Sequence, residues 1–155
     1  YLIRCGAAVL LGVALAVASL SDLAWRIIPN GCVAAVGLSW FLVRGSGERT
    51  MEGLAEGLAG AIVVLLVMLA AARLGAALGH GAGVGGGDKL LSAAGLWAGP
   101  MWGLALVGAS CAAGLLGHGV ACLARRALRL EAGPEDGIPL GPAIALCLLV
   151  FVLGP

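Results

Sequence analysis

Six apolar segments divide this chain, and they leave it few folds to choose from. They run over roughly residues 2–20, 31–43, 53–78, 88–99, 101–124 and 138–153. A helix that crosses a bilayer needs about 20 apolar residues, each adding about 1.5 Å. The second and fourth segments fall short of that length alone, so they are expected to borrow flanking residues, tilt, or break around a cavity. Broken backbone at membrane depth is tolerated only where protein or water covers it. Charged residues make up 11% of the chain and hydrophobic ones 61%, against about 25% charged in an ordinary soluble domain. Mean hydropathy is +1.09. The expected fold is therefore all-α: a polytopic membrane protein in a lipid bilayer, with about six transmembrane helices. The fourth of these is short and follows a glycine-rich loop at 79–87. Pro100 lacks an N–H, so the fourth and fifth segments are either separate helices or one kinked helix.

No fixed-period repeat or low-complexity linker interrupts the chain, and one domain over 1–155 is expected. It opens at Tyr1 without a methionine, so a few residues are expected to precede it. The first segment reads as a retained helix rather than a signal peptide, because no Ala-x-Ala cleavage site stands before its polar end. The net charge of +1 gives no basis for nucleic-acid binding. Cys5, Cys32, Cys111, Cys122 and Cys147 form no Cys-x-x-Cys pair and read as small buried hydrophobes, with neither a disulfide framework nor a metal site. The spacings Gly53-x-x-x-Gly57 and Gly95-x-x-x-Gly99-x-x-x-Gly103 place small residues on one helical face, where helices approach closely. With the N-terminus outside, Arg26, Arg73, Lys89, Arg125, Arg126 and Arg129 become cytoplasmic, and Arg4, Arg44 and Arg49 face out. This arrangement follows the positive-inside rule.

Few residues in such a chain are equipped for chemistry. Glu52 and Glu56 open the third segment, where carboxylates suit a helix N-terminus. Asp22 and Asp88 differ, because each abuts an apolar segment: the first at the end of segment one, the second at the start of segment four. Two complete segments lie between them. An even number of crossings returns the chain to its starting side, so both carboxylates belong at one membrane face. An ionisable group at the membrane is costly, which makes it a functional candidate. Two close aspartates do not ionise together cheaply, so they share a proton and titrate as a pair. The ionised member draws a proton from water and the protonated member donates to the substrate carbonyl oxygen. Water attacks, and the tetrahedral intermediate collapses. That chemistry needs no cofactor and no metal. The stretch Gly83-Val84-Gly85-Gly86-Gly87 before Asp88 fits it, since glycines let an extended peptide backbone approach the carboxylates.

Other chemistries fit less well. Gly83-x-Gly85 follows an apolar helix rather than a strand, which a dinucleotide fingerprint requires, and no His-Glu-x-x-His is present. Lys89 and Ser92 share a helical face at i, i+3 and form a candidate Ser–Lys dyad. His80 and His118 stand alone and read as polar packing residues.

Gly85-Gly86-Gly87-Asp88 followed by Lys89-Leu90-Leu91 resembles the G-x-G-D signature of type IV prepilin peptidases. Asp22-x-x-x-Arg26-x-Ile28-Pro29-Asn30 carries the look of that family's first aspartate motif. Gly95-Leu96-Trp97-Ala98-Gly99 and the closing Ile138-Pro139-Leu140-Gly141 extend the likeness, and the short length is similar to the minimal peptidases of Tad/Flp-type pilus systems. The resemblance implies six membrane helices with both aspartates at the cytoplasmic face of the bacterial inner membrane. It also implies removal of a positively charged prepilin leader just after a glycine. Asp22 and Asp88 would be the catalytic pair. Gly85 and Gly87 would shape the loop beside the second, while Arg26, Pro29 and Asn30 would support the first. Longer members also methylate the new N-terminus through a separate domain with paired cysteines. No such domain is read here, so cleavage without methylation is expected. One departure concerns Lys89: the family usually has one residue between the motif aspartate and the lysine, and its loss turns the lysine by about 100° around the helix. Alternatives are an archaeal preflagellin-peptidase-like or presenilin-like protease, and a non-enzymatic membrane scaffold or transporter subunit. The presenilin type carries Tyr-Asp and Pro-Ala-Leu motifs, whereas Ser21 precedes Asp22 here.

Overall fold

The computed structural model describes residues 2–45, 50–78, 86–128 and 140–154. Among them run five helices: α1 (Leu2–Trp25), α2 (Asn30–Arg44), α3 (Thr50–Ala77), α4 (Gly86–Ala127) and α5 (Gly141–Leu153). Three stretches, Leu2–Trp25, Met51–Leu74 and Gly86–Ala127, are long and apolar enough to cross a membrane. The all-helical architecture is as expected, and against about six expected helices the described residues carry five, the fourth of them two helical arms joined across a break.

The difference lies inside α4. Its 42 residues are interrupted at Gly99, where φ is 73° and ψ is −178°. This pairing of φ and ψ is essentially restricted to glycine, and Pro100 follows with no N–H to rejoin the ladder. In an unbroken helix Gly95 and Gly103 would stand about 12 Å apart. Here a Cβ on Gly103 would lie 3.8 Å from Gly95 Cα, and both glycines meet Val64 Cγ2 of α3. The second arm of α4 therefore folds back across the first. The first arm, residues 86–98, is the short segment expected after the glycine loop, and it spans only about 20 Å.

Close approach of α3 holds this arrangement. A Cβ on Gly60 would run into the Gly95 carbonyl and the Gly99 backbone, and one on Gly57 would meet the Trp40 ring and the Leu96 carbonyl. Ser92 Oγ donates to the Ala61 carbonyl at 3.1 Å. As residue number rises along α3, its partners on the first arm fall from Gly99 to Gly95 to Ser92, so the two run antiparallel. The expected Gly53/Gly57 face is shifted by one step, because Gly57 and Gly60 make the contact while Gly53 faces the Arg44 side chain.

The core lies where α1, α2, α4 and α5 meet. Leu11, Leu15, Val36, Leu90, Leu91, Ile144 and Leu148 are fully buried there. On α1 the buried positions Ala7, Leu11, Ala14, Leu15, Ala18 and Asp22 repeat every three or four residues, the stripe of a helix packed on one side. The opposite side is equally apolar: Val9, Val13 and Val17 are exposed, as are Leu58, Ile62 and Leu66 on α3 and Leu115 and Leu116 on α4. A helix that is apolar all round belongs in lipid. Cys32 is buried and Cys5 exposed, with Cys111, Cys122 and Cys147 between these extremes, so burial does not hold for all five.

Four helix ends collect at one end of the bundle: the end of α1 and the starts of α2, α4 and α5. At the other end the Arg44 side chain meets Gly53, the Glu56 side chain meets Gly99, and the Trp102 and Phe151 rings lie 6.3 Å apart.

Candidate active site

The site is built where α1 stops. Arg26 adopts a left-handed φ of 55°, and its N–H donates to the Asp22 carbonyl at 3.0 Å. This is the usual way a helix is closed, but usually with glycine in that place. Pro29 then sits extended at φ −61°, ψ 135° ahead of α2, and Cys32 N–H donates to its carbonyl at 3.0 Å. These constraints return the chain within five residues and leave Asp22 in the last turn of α1.

Asp22 is 8% exposed. The last turn of a helix presents carbonyl oxygens, which makes it a poor place for a carboxylate. The compensation comes from 119 residues along the chain, where the Gly141 N–H at the start of α5 donates to Asp22 Oδ2 at 2.7 Å. A Cβ on Gly141 would lie 2.8 Å from Asp22 Cβ and 3.0 Å from Oδ2, so only glycine permits this approach.

Asp88 is the third residue of α4 and half-buried. Its helix start is docked on both sides. A Cβ on Gly86 would come within 2.8 Å of Ile28 Cβ, in the turn after α1, and one on Gly87 within 3.7 Å of Leu140 Cβ, the residue before Gly141. Asp88 is thus attached to the same two segments that surround Asp22. The structure brings the two aspartates to one end of the bundle, as the count of crossings requires. Lys89 Nζ donates to Asn30 Oδ1 at 3.2 Å, which ties α4 to the start of α2. The N-termini of α2, α4 and α5, together with Arg26 and Lys89, gather positive charge and partial charge around two carboxylates.

The remaining expectations sort plainly. Gly87, Lys89, Arg26, Pro29 and Asn30 all belong to this end, whereas Gly85 and most of the glycine loop lie outside the described residues, as does His80. Lys89 and Ser92 do not form a dyad: one bonds to α2 and the other to α3. His118 Nε2 is 3.5 Å from Cys122 Sγ. Among the described residues no three His, Cys, Asp or Glu side chains gather as a metal ion requires. Gly141, Leu140, Gly86 and Ile28 stand in the stretches singled out from the sequence, but the contacts they make around the two aspartates are not foreseen there. The available signal was Gly141-Pro142, a helix-start pairing with proline in the first turn, but nothing local says what that start faces.

The model of the type IV leader peptidase family matches residues 9–118, a stretch that contains both aspartates and both motifs around them. The chain belongs to the type IV leader peptidase family. Membership in this peptidase family makes peptide-bond hydrolysis the class of activity. Neither the curated proteins nor the solved structures contain a match to the chain. In this leader peptidase family member, Gly141 lies beyond the matched residues and yet contacts Asp22 directly.

Proposed function

We propose that this chain is a membrane-embedded aspartic endopeptidase that removes the leader of a type IV or Tad/Flp-type prepilin. In this reading Asp22 and Asp88 hold one water between them. The ionised carboxylate takes a proton from the water as its oxygen attacks the scissile carbonyl carbon. The protonated one delivers its proton to the carbonyl oxygen. The tetrahedral intermediate then collapses, the C–N bond breaks, and the amine leaves with a proton, so water is divided between the two products. The observation that carries this reading is the docking of the α4 start onto the two segments that enclose Asp22: Gly86 onto Ile28, and Gly87 onto the residue before Gly141. The count of crossings alone puts both carboxylates at one end; it does not dock the start of α4 onto the segments that enclose Asp22.

The substrate assignment is supported by family membership and by charge. Arg26 and Lys89 lie at the aspartate end, as do Arg73, Arg125 and Arg126 near the ends of α3 and α4, whereas Arg4 and Arg44 lie at the other. This asymmetry favours an active site at the cytoplasmic face of the bacterial inner membrane, where a positively charged leader would remain. The test is co-expression with a prepilin-like substrate. Wild type should shift the substrate to its shorter form, while Asp22→Asn and Asp88→Asn should each lower the cleavage rate at least about a thousandfold, as loss of an acid–base group does. Unimpaired cleavage by either variant, inserted at wild-type level, removes the two-aspartate assignment.

A further inference from the structure

Asp22 and the residue before Asp88 both meet the same short piece of chain, and it is neither of the segments that carry the aspartates. Gly141 donates its N–H to Asp22 Oδ2 at 2.7 Å. Leu140, one residue earlier, meets Gly87, one residue before Asp88. The start of α5 is thus a wedge with one residue against each partner. Its own backbone is fixed by the Ile144 N–H, which donates to the Leu140 carbonyl at 2.9 Å, and by burial of Ala143, Ile144, Ala145 and Leu148.

Resting on the two-aspartate reading, we infer that Leu140 and Gly141 are positioning residues that set the separation and orientation of the two carboxylates. A carboxylate has two oxygens. The Gly141 N–H occupies Oδ2 of Asp22 and so fixes the rotation of the group, which leaves the other oxygen to act on water. Leu140 fills the space beside Gly87 and so sets how near the first turn of α4 comes. Neither residue touches the reacting atoms, but both decide whether those atoms meet. Misplacing a reacting group by about 1 Å costs about a hundredfold in rate. Gly141 cannot be exchanged for a residue with a side chain, since a Cβ there would lie 2.8–3.2 Å from three Asp22 atoms.

The N–H is removed without adding a side chain by replacing the Gly141 amide with an ester, using the corresponding hydroxy acid during cell-free synthesis of the full chain into lipid nanodiscs. Cleavage of a prepilin-like substrate should lose about a hundredfold in kcat with KM held within about twofold, because substrate binding is untouched. An ester at Gly154 is the control: it deletes the bond from the Gly154 N–H to the Val150 carbonyl at the far end of α5 and should leave kcat within about twofold of wild type. Leu140→Ala should lower kcat about tenfold, again with little change in KM. The inference is overturned if the Gly141 ester keeps kcat within about twofold of wild type, or if the Gly154 ester loses as much. Activity in Asp22→Asn or Asp88→Asn would instead overturn the underlying reading, so the two failures are told apart.

Discussion

Arg26 holds a conformation that L side chains disfavour by about 1–2 kcal/mol, and it does so next to Asp22. The alternative, a helical Arg26, would carry the chain onward past Asp22 and away from the Pro29 turn into α2. The left-handed residue therefore stores strain at the site that needs the sharp exit. The cost depends on the side chain, which makes it measurable. Arg26→Gly and Arg26→Val both lose the guanidinium, but only valine meets the branched-side-chain penalty at φ 55°. Arg26→Val should be less stable than Arg26→Gly by about 1–2 kcal/mol, read as a lower midpoint for thermal unfolding in detergent. Equal midpoints would mean that Arg26 does not hold this backbone in solution. At this scale the sequence tells half the story. Asp22 and Asp88 stand out because carboxylates are rare at the edges of apolar segments. The Gly141 contact does not stand out, because its partner lies 119 residues away and one glycine among 27 carries no mark of its contact.

The helices themselves were legible from composition and length, and their packing was not. Period analysis works when one face is polar, but α1, α3 and the second arm of α4 are apolar on every side, so the buried face has no sequence signature. Small residues were the better guide, yet glycine spacing gave the interface on α3 one step early, because Gly53 and Gly60 look alike until a partner helix is in place. The contrast predicts opposite effects from the same substitution. Gly12 on α1 has open space around it, and alanine there restores helix propensity worth about 0.5–1 kcal/mol. Gly60 has the Gly95 carbonyl and Gly99 backbone against it, which are not flexible side-chain ends that can move aside. Gly60→Ala must push α3 off the fold in α4 and should cost about 1–3 kcal/mol, as overpacking does. Thermal unfolding of Gly12→Ala and Gly60→Ala should therefore move in opposite directions from wild type. A neutral Gly60→Ala would mean that α3 and α4 pack more loosely than these contacts require.

Across the whole molecule, one reversal decides where everything else falls. If α4 were straight, its 42 residues would extend about 63 Å, twice the bilayer core, and its end would lie far from the aspartates. Because Gly99 and Pro100 fold the second arm back, Arg125 and Arg126 return to the aspartate end, and the start of α5 is delivered there to meet Asp22. The chain's basic residues then divide by end, and the division predicts an orientation. With the five native cysteines replaced, a single cysteine is placed at Leu128, just past α4 at the aspartate end, or at Met51, at the start of α3 near the other end. Both positions are exposed. A thiol reagent that does not cross membranes, added to intact cells, should label Met51→Cys at once and Leu128→Cys only after lysis, because the basic end stays inside. The reverse pattern would put the two aspartates outside the membrane. A leader held at the cytoplasmic face would then never reach them.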